Sequence, residues 1–249
     1  MCYQKSLNQS EDNLTRYMDR TPYNPGEFEP YFLNDGFSHS SIYIIPQDEP
    51  EHWFPATWGL VPNWHRGTSD EFFRNRKYNT LNAKAESVFT SNSYRQPIHE
   101  SRCLIFCDGF FEPHHYGKNS QPYFCYLSES KNYMDREIFT FAGIYNKDTE
   151  EKYTVSLLTV NANPLFESIH NDKKRMPLAL DRKYELDWIS DDQGESVIKG
   201  IMDEGFTTKS FKAHPVMNYR LKVNRELKNT EKVLEPVEAI DSDLQEVFN

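Results

Sequence analysis

The stretch Ile138-Phe139-Thr140-Phe141-Ala142-Gly143-Ile144-Tyr145, then polar Asn146–Lys152, then Tyr153-Thr154-Val155-Ser156-Leu157-Leu158-Thr159-Val160, decides the fold class. Both apolar runs are rich in β-branched and aromatic residues, and the polar stretch between them reads as a hairpin connection. Working outward, Tyr123–Leu127 predicts another strand, and Ser41–Ile45 one more, ended by Pro46. Helices are fewer. Asn163 followed by Pro164 gives a cap and a first-turn proline, predicting a short helix through about Ile169. Asp70–Arg76, Arg182–Ile189 behind Asp181, and Glu195–Glu204 closed by Gly205 are further helix candidates. Pro22, Pro25, Gly26, Pro30 and Gly36 mark residues 19–40 as an irregular excursion. Clustered short strands with scattered helices predict an α+β fold with a mainly antiparallel sheet. No repeat, low-complexity tract or linker interrupts residues 1–249, which therefore read as a single domain.

The chain has 249 residues, enough to bury a substantial core, and 15 Tyr with 17 Phe argue against global disorder. It has no apolar run approaching the length of a membrane-spanning helix, and Met1–Arg20 lacks the apolar core of a secretory signal. Four cysteines without a paired framework fit a reducing, cytoplasmic compartment. Net charge is −10, which at face value disfavours nucleic acid. The charge is uneven, however. Residues 58–118 hold 8 Lys/Arg against 6 Asp/Glu, whereas 1–57 hold 3 against 9. A basic groove on an acidic body is permitted, and charge alone does not decide.

Cys2 stands directly behind Met1. Once the methionine leaves, this residue carries an α-amine and a thiol on neighbouring carbons, with ordinary pKa values of about 8 and 8.5. Such a pair can trap an aldehyde twice, as a Schiff base and then as a thiazolidine. Position alone fits a frayed terminus equally well. Trp58-Gly59-Leu60-Val61-Pro62-Asn63-Trp64 sets two indoles around a sharp turn, either as core or as faces on which bases stack. Leu81-Asn82-Ala83-Lys84-Ala85-Glu86-Ser87 would, as a strand, place amide, cation and acid on one face. That face is either merely solvated or holds a nucleophile through Asn82 and a phosphate through Lys84. Arg102–Cys107 reads as a buried strand entering a glycine-marked turn before Glu112. Desolvation there would raise the Glu112 pKa toward general acid–base use. Asp108, just before Gly109, reads as a turn residue. Cys103 and Cys107 with His114 and His115 match no common zinc spacing, so these cysteines and Cys125 read as core thiols and no metal is expected. His170 ends the predicted short helix before Lys173, Lys174 and Arg175, as a surface histidine or a proton shuttle facing an anion.

Taken in order, Cys2, Trp58–Trp64, Asn82–Glu86, Arg102–Glu112, Phe141–Tyr145, His170 with Arg175-Met176-Pro177, and His214-Pro215-Val216 resemble the SRAP family, the SOS-response-associated peptidases. The resemblance covers about residues 2–225, leaving 226–249 as an acidic C-terminal tail. It implies an α+β SRAP-type domain with a barrel-like β core and a few short helices. It also implies abasic-site processing in the DNA damage response. A monomer would bind single-stranded DNA, or single-/double-strand junctions, and link Cys2 covalently to the abasic sugar as a thiazolidine. Asn82 matches the residue that positions the cysteine, Glu112 the acid–base, and His170 the partner that assists ring opening and reversal. Trp58, Trp64, Lys84 and Arg175 would contact DNA. The family name implies self-processing peptidase activity besides this lyase-like chemistry, without a cofactor.

The chain departs from the family pattern at several points. Tyr3 and Gln4 replace the usual Gly-Arg after the cysteine, Lys84 replaces an arginine, and three extra residues separate His170 from Arg175. Pro113 stands where an aromatic often follows the glutamate. An N-terminal-nucleophile amide hydrolase using Cys2, or a non-catalytic single-strand-binding module, are the rival readings.

Overall fold

A computed structural model describes residues 2–75, 77–204 and 210–240. The chain opens with β1 (Gln4–Leu7), α1 (Glu11–Met18), β2 (Thr21–Pro22), β3 (Tyr31–Asp35), β4 (Ser41–Pro46), β5 (His52–Trp58) and α2 (Ser69–Arg74). Its middle holds β6 (Asn82–Lys84), α3 (Pro97–Glu100), β7 (Arg102–Cys107), β8 (Gly109–Tyr116), β9 (Asn119–Leu127), β10 (Phe139–Lys147) and β11 (Tyr153–Asn161). After these come α4 (Pro164–Ile169), β12 (Arg175–Pro177), β13 (Ala179–Leu180), α5 (Arg182–Ile189), α6 (Glu195–Glu204) and β14 (Phe211–Pro215). None of the described helices is long and apolar enough to cross a membrane.

The predicted hairpin is present: β10 and β11 pair antiparallel, with Gly143 opposite Leu157 and Lys147 opposite Tyr153. Gly143 is needed there because a Cβ would lie 2.7 Å from the Cys103 sulfur and the Ile105 side chain. The hairpin anchors one sheet in the order β12-β11-β10-β7-β4-β5-β2. β5 also pairs parallel with β11, Val155 lying opposite Trp58, so five strands close into a ring. Beyond that contact β6 runs parallel along β11 and sets Asn82 opposite Leu157. A second, wholly antiparallel sheet runs β14-β9-β8-β1-β3. This mixed α+β architecture is mainly antiparallel, as the strand-rich runs predict.

The second sheet is covered on both faces. One face carries Phe110, Cys125 and Leu127 into the large core shared with the ring. The other carries Leu33, Phe111, Phe124 and Tyr126 into a small core closed by Val216, Tyr219, Val233 and Leu234. Residues 216–234 therefore wrap the back of the sheet, and part of the expected acidic tail is structural. Asn229 Oδ1 accepts from the Phe32 and Leu33 amides, and Val216 bridges to Pro236.

The helices form where caps permit. Thr68 and Glu71 make a reciprocal capping box that starts α2, one residue before Asp70. Asn163 caps α4 and Asp181 caps α5. The termination of α6 at Gly205 lies outside the described residues. Two expectations are corrected. Residues 19–40 hold β3, whose Tyr31, Leu33 and Asn34 are buried, so the prolines punctuate a strand-bearing segment. β6 stops at Lys84 and turns into a 3-10 helix over Ala85–Ser87, so Glu86 leaves the face shared by Asn82 and Lys84.

Candidate active site

Cys2 precedes β1, the strand held between β8 and β3. It is fully buried, and its Sγ lies 3.5 Å from the Gln4 carbonyl. Burial pushes the thiol pKa well above its ordinary value, and the charge of Glu112 pushes it the same way. An uncharged thiol is thus favoured until a base takes its proton. Asn82 Nδ2 donates to the Cys2 carbonyl at 2.8 Å. The parallel register with β11 fixes Asn82, so the amide holds the backbone at Cys2. Its Oδ1 is buried without a hydrogen-bond partner among the described residues.

Glu112 lies on β8, on the same face as Phe110, and is fully buried. Desolvation raises its carboxyl to about 7, against the opposing fields of the N-terminal charge and, after it, Arg220. His170 caps the C-terminus of α4, and its Nδ1 is 3.1 Å from Glu112 Oε2. The same nitrogen is 2.9 Å from the Arg175 carbonyl. A carbonyl only accepts, so Nδ1 carries the proton and Nε2 is the basic nitrogen. Burial lowers the His170 pKa to about 4, keeping the ring neutral near pH 7. A carboxyl poised near neutrality beside a neutral imidazole can give and take protons without a large free-energy penalty.

The chain fixes this pair tightly. His114 Nδ1 meets the Ser168 and Ile169 carbonyls at 3.0 and 3.1 Å, docking α4 on β8. Asn171 exchanges two bonds with the His115 backbone, at 2.9 and 2.8 Å. The residues that lengthen the His170–Arg175 connection fold back on themselves. Lys174 adopts φ +48° and its amide donates to the His170 carbonyl at 2.9 Å.

The sequence candidates for DNA contact separate. Trp58 is fully buried, with its indole N–H donating to the Leu81 carbonyl at 3.1 Å, so it offers no face to a base. Arg175 is also buried. Its guanidinium meets both Glu86 oxygens, at 2.6 and 3.0 Å, and the Thr159 carbonyl at 2.6 Å. It braces the start of β12 and does not stand in solvent for a phosphate. Lys84 is exposed, and Trp64 is 47% exposed. Trp64 borders an open groove of about 760 Å³ with Arg66, Tyr78 and Arg95, which the sequence reading did not single out. Arg220 was likewise missed: its guanidinium donates to Gln4 Oε1 at 3.3 Å from a segment 216 residues away.

Comparison with known proteins places the chain in a family. The model of the family described as SOS response associated peptidase (SRAP) matches residues 1–224. The abasic site processing protein HMCES of Gallus gallus is 28% identical over 200 residues, covering 73% of this chain and 56% of that protein. The chain thus spans just over half the length of that relative. The abasic site processing protein YoqW of Bacillus subtilis (strain 168) is 29% identical over 195 residues, covering 76% of this chain and 80% of that protein. A crystal structure of a protein from Bacteroides thetaiotaomicron superimposes with a TM-score of 0.77 at 24% identity, covering 95% of this chain and all of that one. With the family model spanning nearly the whole chain, the protein belongs to the SOS response associated peptidase (SRAP) family.

Proposed function

We propose that this protein processes abasic sites in DNA by crosslinking to them through Cys2 after loss of Met1. The observation that carries the reading is the joint burial of Cys2, the Asn82 amide that holds it, and the Glu112–His170 pair at 3.1 Å. The names of the chicken and Bacillus relatives point to the same substrate. An abasic sugar opens in part to an aldehyde. The Cys2 amine adds to its carbon with its proton moving to the oxygen, the resulting hydroxyl leaves as water with a proton from Glu112, and the nitrogen returns a proton to Glu112 to leave an imine. The Cys2 sulfur then adds to the imine carbon while its proton passes to the imine nitrogen, closing a thiazolidine with net loss of one water. Glu112 at about 7 is matched to these transfers. His170 assists opening of the sugar and its return.

Single-stranded DNA, or its junction with duplex, suits a site whose electrophile must leave the base stack. Lys84 and the Trp64 groove with Arg66, Tyr78 and Arg95 supply cations and stacking faces for the strand. The chain would act as a monomer, without a cofactor. The test mixes purified protein, with Met1 removal confirmed by mass, with single-stranded DNA containing one abasic site. A heat-stable band on a denaturing gel, absent in Cys2→Ala, supports the proposal. No covalent band from the processed protein sinks it, and tight non-covalent binding alone would leave a DNA-binding module.

A further inference from the structure

Tyr3 follows Cys2, so its Cα lies about 3.8 Å from that of the nucleophilic residue. Its ring sits 4.7 Å from that of Phe37, tilted 36°. Phe37 is 57% exposed on a tight 3-10 turn, so part of its ring is open to solvent beside Tyr3. The turn is built around the start of β1. The Gly36 amide donates to the Tyr3 carbonyl at 2.8 Å, and a Cβ at Gly36 would lie only 3.2 Å from that carbonyl and from the Trp58 ring. Glycine lets the turn approach closely enough to set Phe37 against Tyr3.

The same turn reaches a cation. Asp35 Oδ1 accepts from the Phe37 amide at 3.3 Å and from Gln4 Nε2 at 3.0 Å. Gln4 Oε1 accepts in turn from Arg220 at 3.3 Å. Arg220 is exposed, yet its charge reaches Glu112 and opposes the rise of that carboxyl. One hydrogen-bonded network therefore ties a half-buried Tyr3, an exposed Phe37 and an exposed guanidinium to the residues directly following Cys2.

We propose that Tyr3, Phe37 and Arg220 form a nucleotide subsite beside Cys2, in which the base flanking the abasic position stacks on the aromatic pair and a neighbouring phosphate pairs with Arg220. This rests on the DNA-crosslinking reading above. A stacked base is worth at least about fivefold in affinity, and a phosphate contact adds about one counterion to the salt dependence.

The experiment measures crosslinking rates at subsaturating DNA. One strand carries an abasic site between two normal nucleotides, and two further strands each have one flanking base removed as a tetrahydrofuran spacer. Wild type should slow about five- to tenfold on one spacer strand. Phe37→Ala should be slowed similarly on the normal strand and lose nothing more on that spacer strand, whereas Phe37→Tyr should behave as wild type. Arg220→Gln should lower the slope of log affinity against log salt by about one. If wild type crosslinks but Phe37→Ala responds to both spacers as wild type does, the stacking half is overturned. An unchanged salt slope in Arg220→Gln overturns the phosphate half. If wild type crosslinks to none of the strands, the crosslinking function itself fails, and the subsite with it.

Discussion

Asp108 and Glu112 stand four residues apart at the junction of β7 and β8, both fully buried, and only the first has a guanidinium against it. Arg136 meets Asp108 Oδ2 at 2.9 Å, with both side chains wholly buried. The same oxygen accepts from the Asn8 amide at 2.8 Å and from Gln9 at 3.2 Å. This buried ion pair ties the segment before α1 and the Arg136 loop to the sheet. Glu112 faces a neutral imidazole, and the one arginine acting on it does so from an exposed position. Burial alone therefore does not define a reactive carboxyl. A close, equally buried cation holds Asp108 in an ion pair, whereas Glu112 has a neutral imidazole beside it, and burial outweighs the fields of the N-terminal charge and Arg220 to set its carboxyl at about 7.

The largest expected effect breaks the structural side of this comparison. Asp108→Asn or Arg136→Met leaves a buried charge without its partner and should cost about 3–5 kcal/mol in urea unfolding. The crosslinking rate per folded molecule should be nearly unchanged, so a loss of rate at full stability would erase the distinction.

Glu112→Gln should do the opposite, slowing crosslinking about 10²-fold or more while leaving the fold intact. Its stability also has a sign. With an ordinary value of 4.5 and about 7 in the folded protein, the Glu112 carboxyl gives stability that is fully present below about pH 4.5. That stability is lost as pH rises through 7, because the unfolded chain releases the proton first. Glutamine never ionises, so the variant should be more stable than wild type at pH 8, by about 3 kcal/mol at most. His170 works in reverse, moving from an ordinary 6.5 to about 4 in the folded protein. Its stability is present above about pH 6.5 and is lost as pH falls toward 4. The two slopes oppose each other in wild type. Glu112→Gln should therefore uncover a stability that climbs with pH between about 4 and 6.5, read by thermal melts across a pH series.

Two smaller effects sharpen the comparison. Arg220→Gln removes a field that lowers the Glu112 carboxyl, so the corresponding limb of the crosslinking pH profile should move to higher pH. Lys84→Ala, on an exposed side chain, should leave stability within about 0.5 kcal/mol and only reduce the salt dependence of DNA binding.

Much of this molecule is legible in its sequence where the signal is local. The β10–β11 hairpin, the Asn163-Pro164 helix start and the desolvated Glu112 follow from patterns spanning at most about twenty residues. The parallel contact of β5 with β11 that closes the ring does not, since neither strand advertises a partner a hundred residues away. Asp108 read as a turn residue because Gly109 follows it, and nothing local reveals that Arg136 would reach back to it. The burial of Arg175 is hidden similarly: a cationic loop looks solvent-facing until Glu86 and Thr159 pair with it. Trp58 was ambiguous between core and platform, and the ring of strands resolved it by enclosing it. Arg220 carried no motif and becomes visible only through Gln4.

That last contact bears on how the protein is built. Gln4, two residues beyond the nucleophile, is held by Tyr219 and Arg220 across 215 and 216 positions of chain. Contacts of such high sequence separation form late and limit folding speed. The strand that follows Cys2 cannot be fully braced until Tyr219 and Arg220 have been synthesised. A chain severed ahead of Tyr219 would keep Cys2, Asn82, Glu112 and His170 yet leave Phe111 and Phe124 uncovered, with the network around Gln4 undone. The bracing of the strand beside Cys2 thus depends on a segment more than two hundred positions downstream, fastened by topology and not by local sequence.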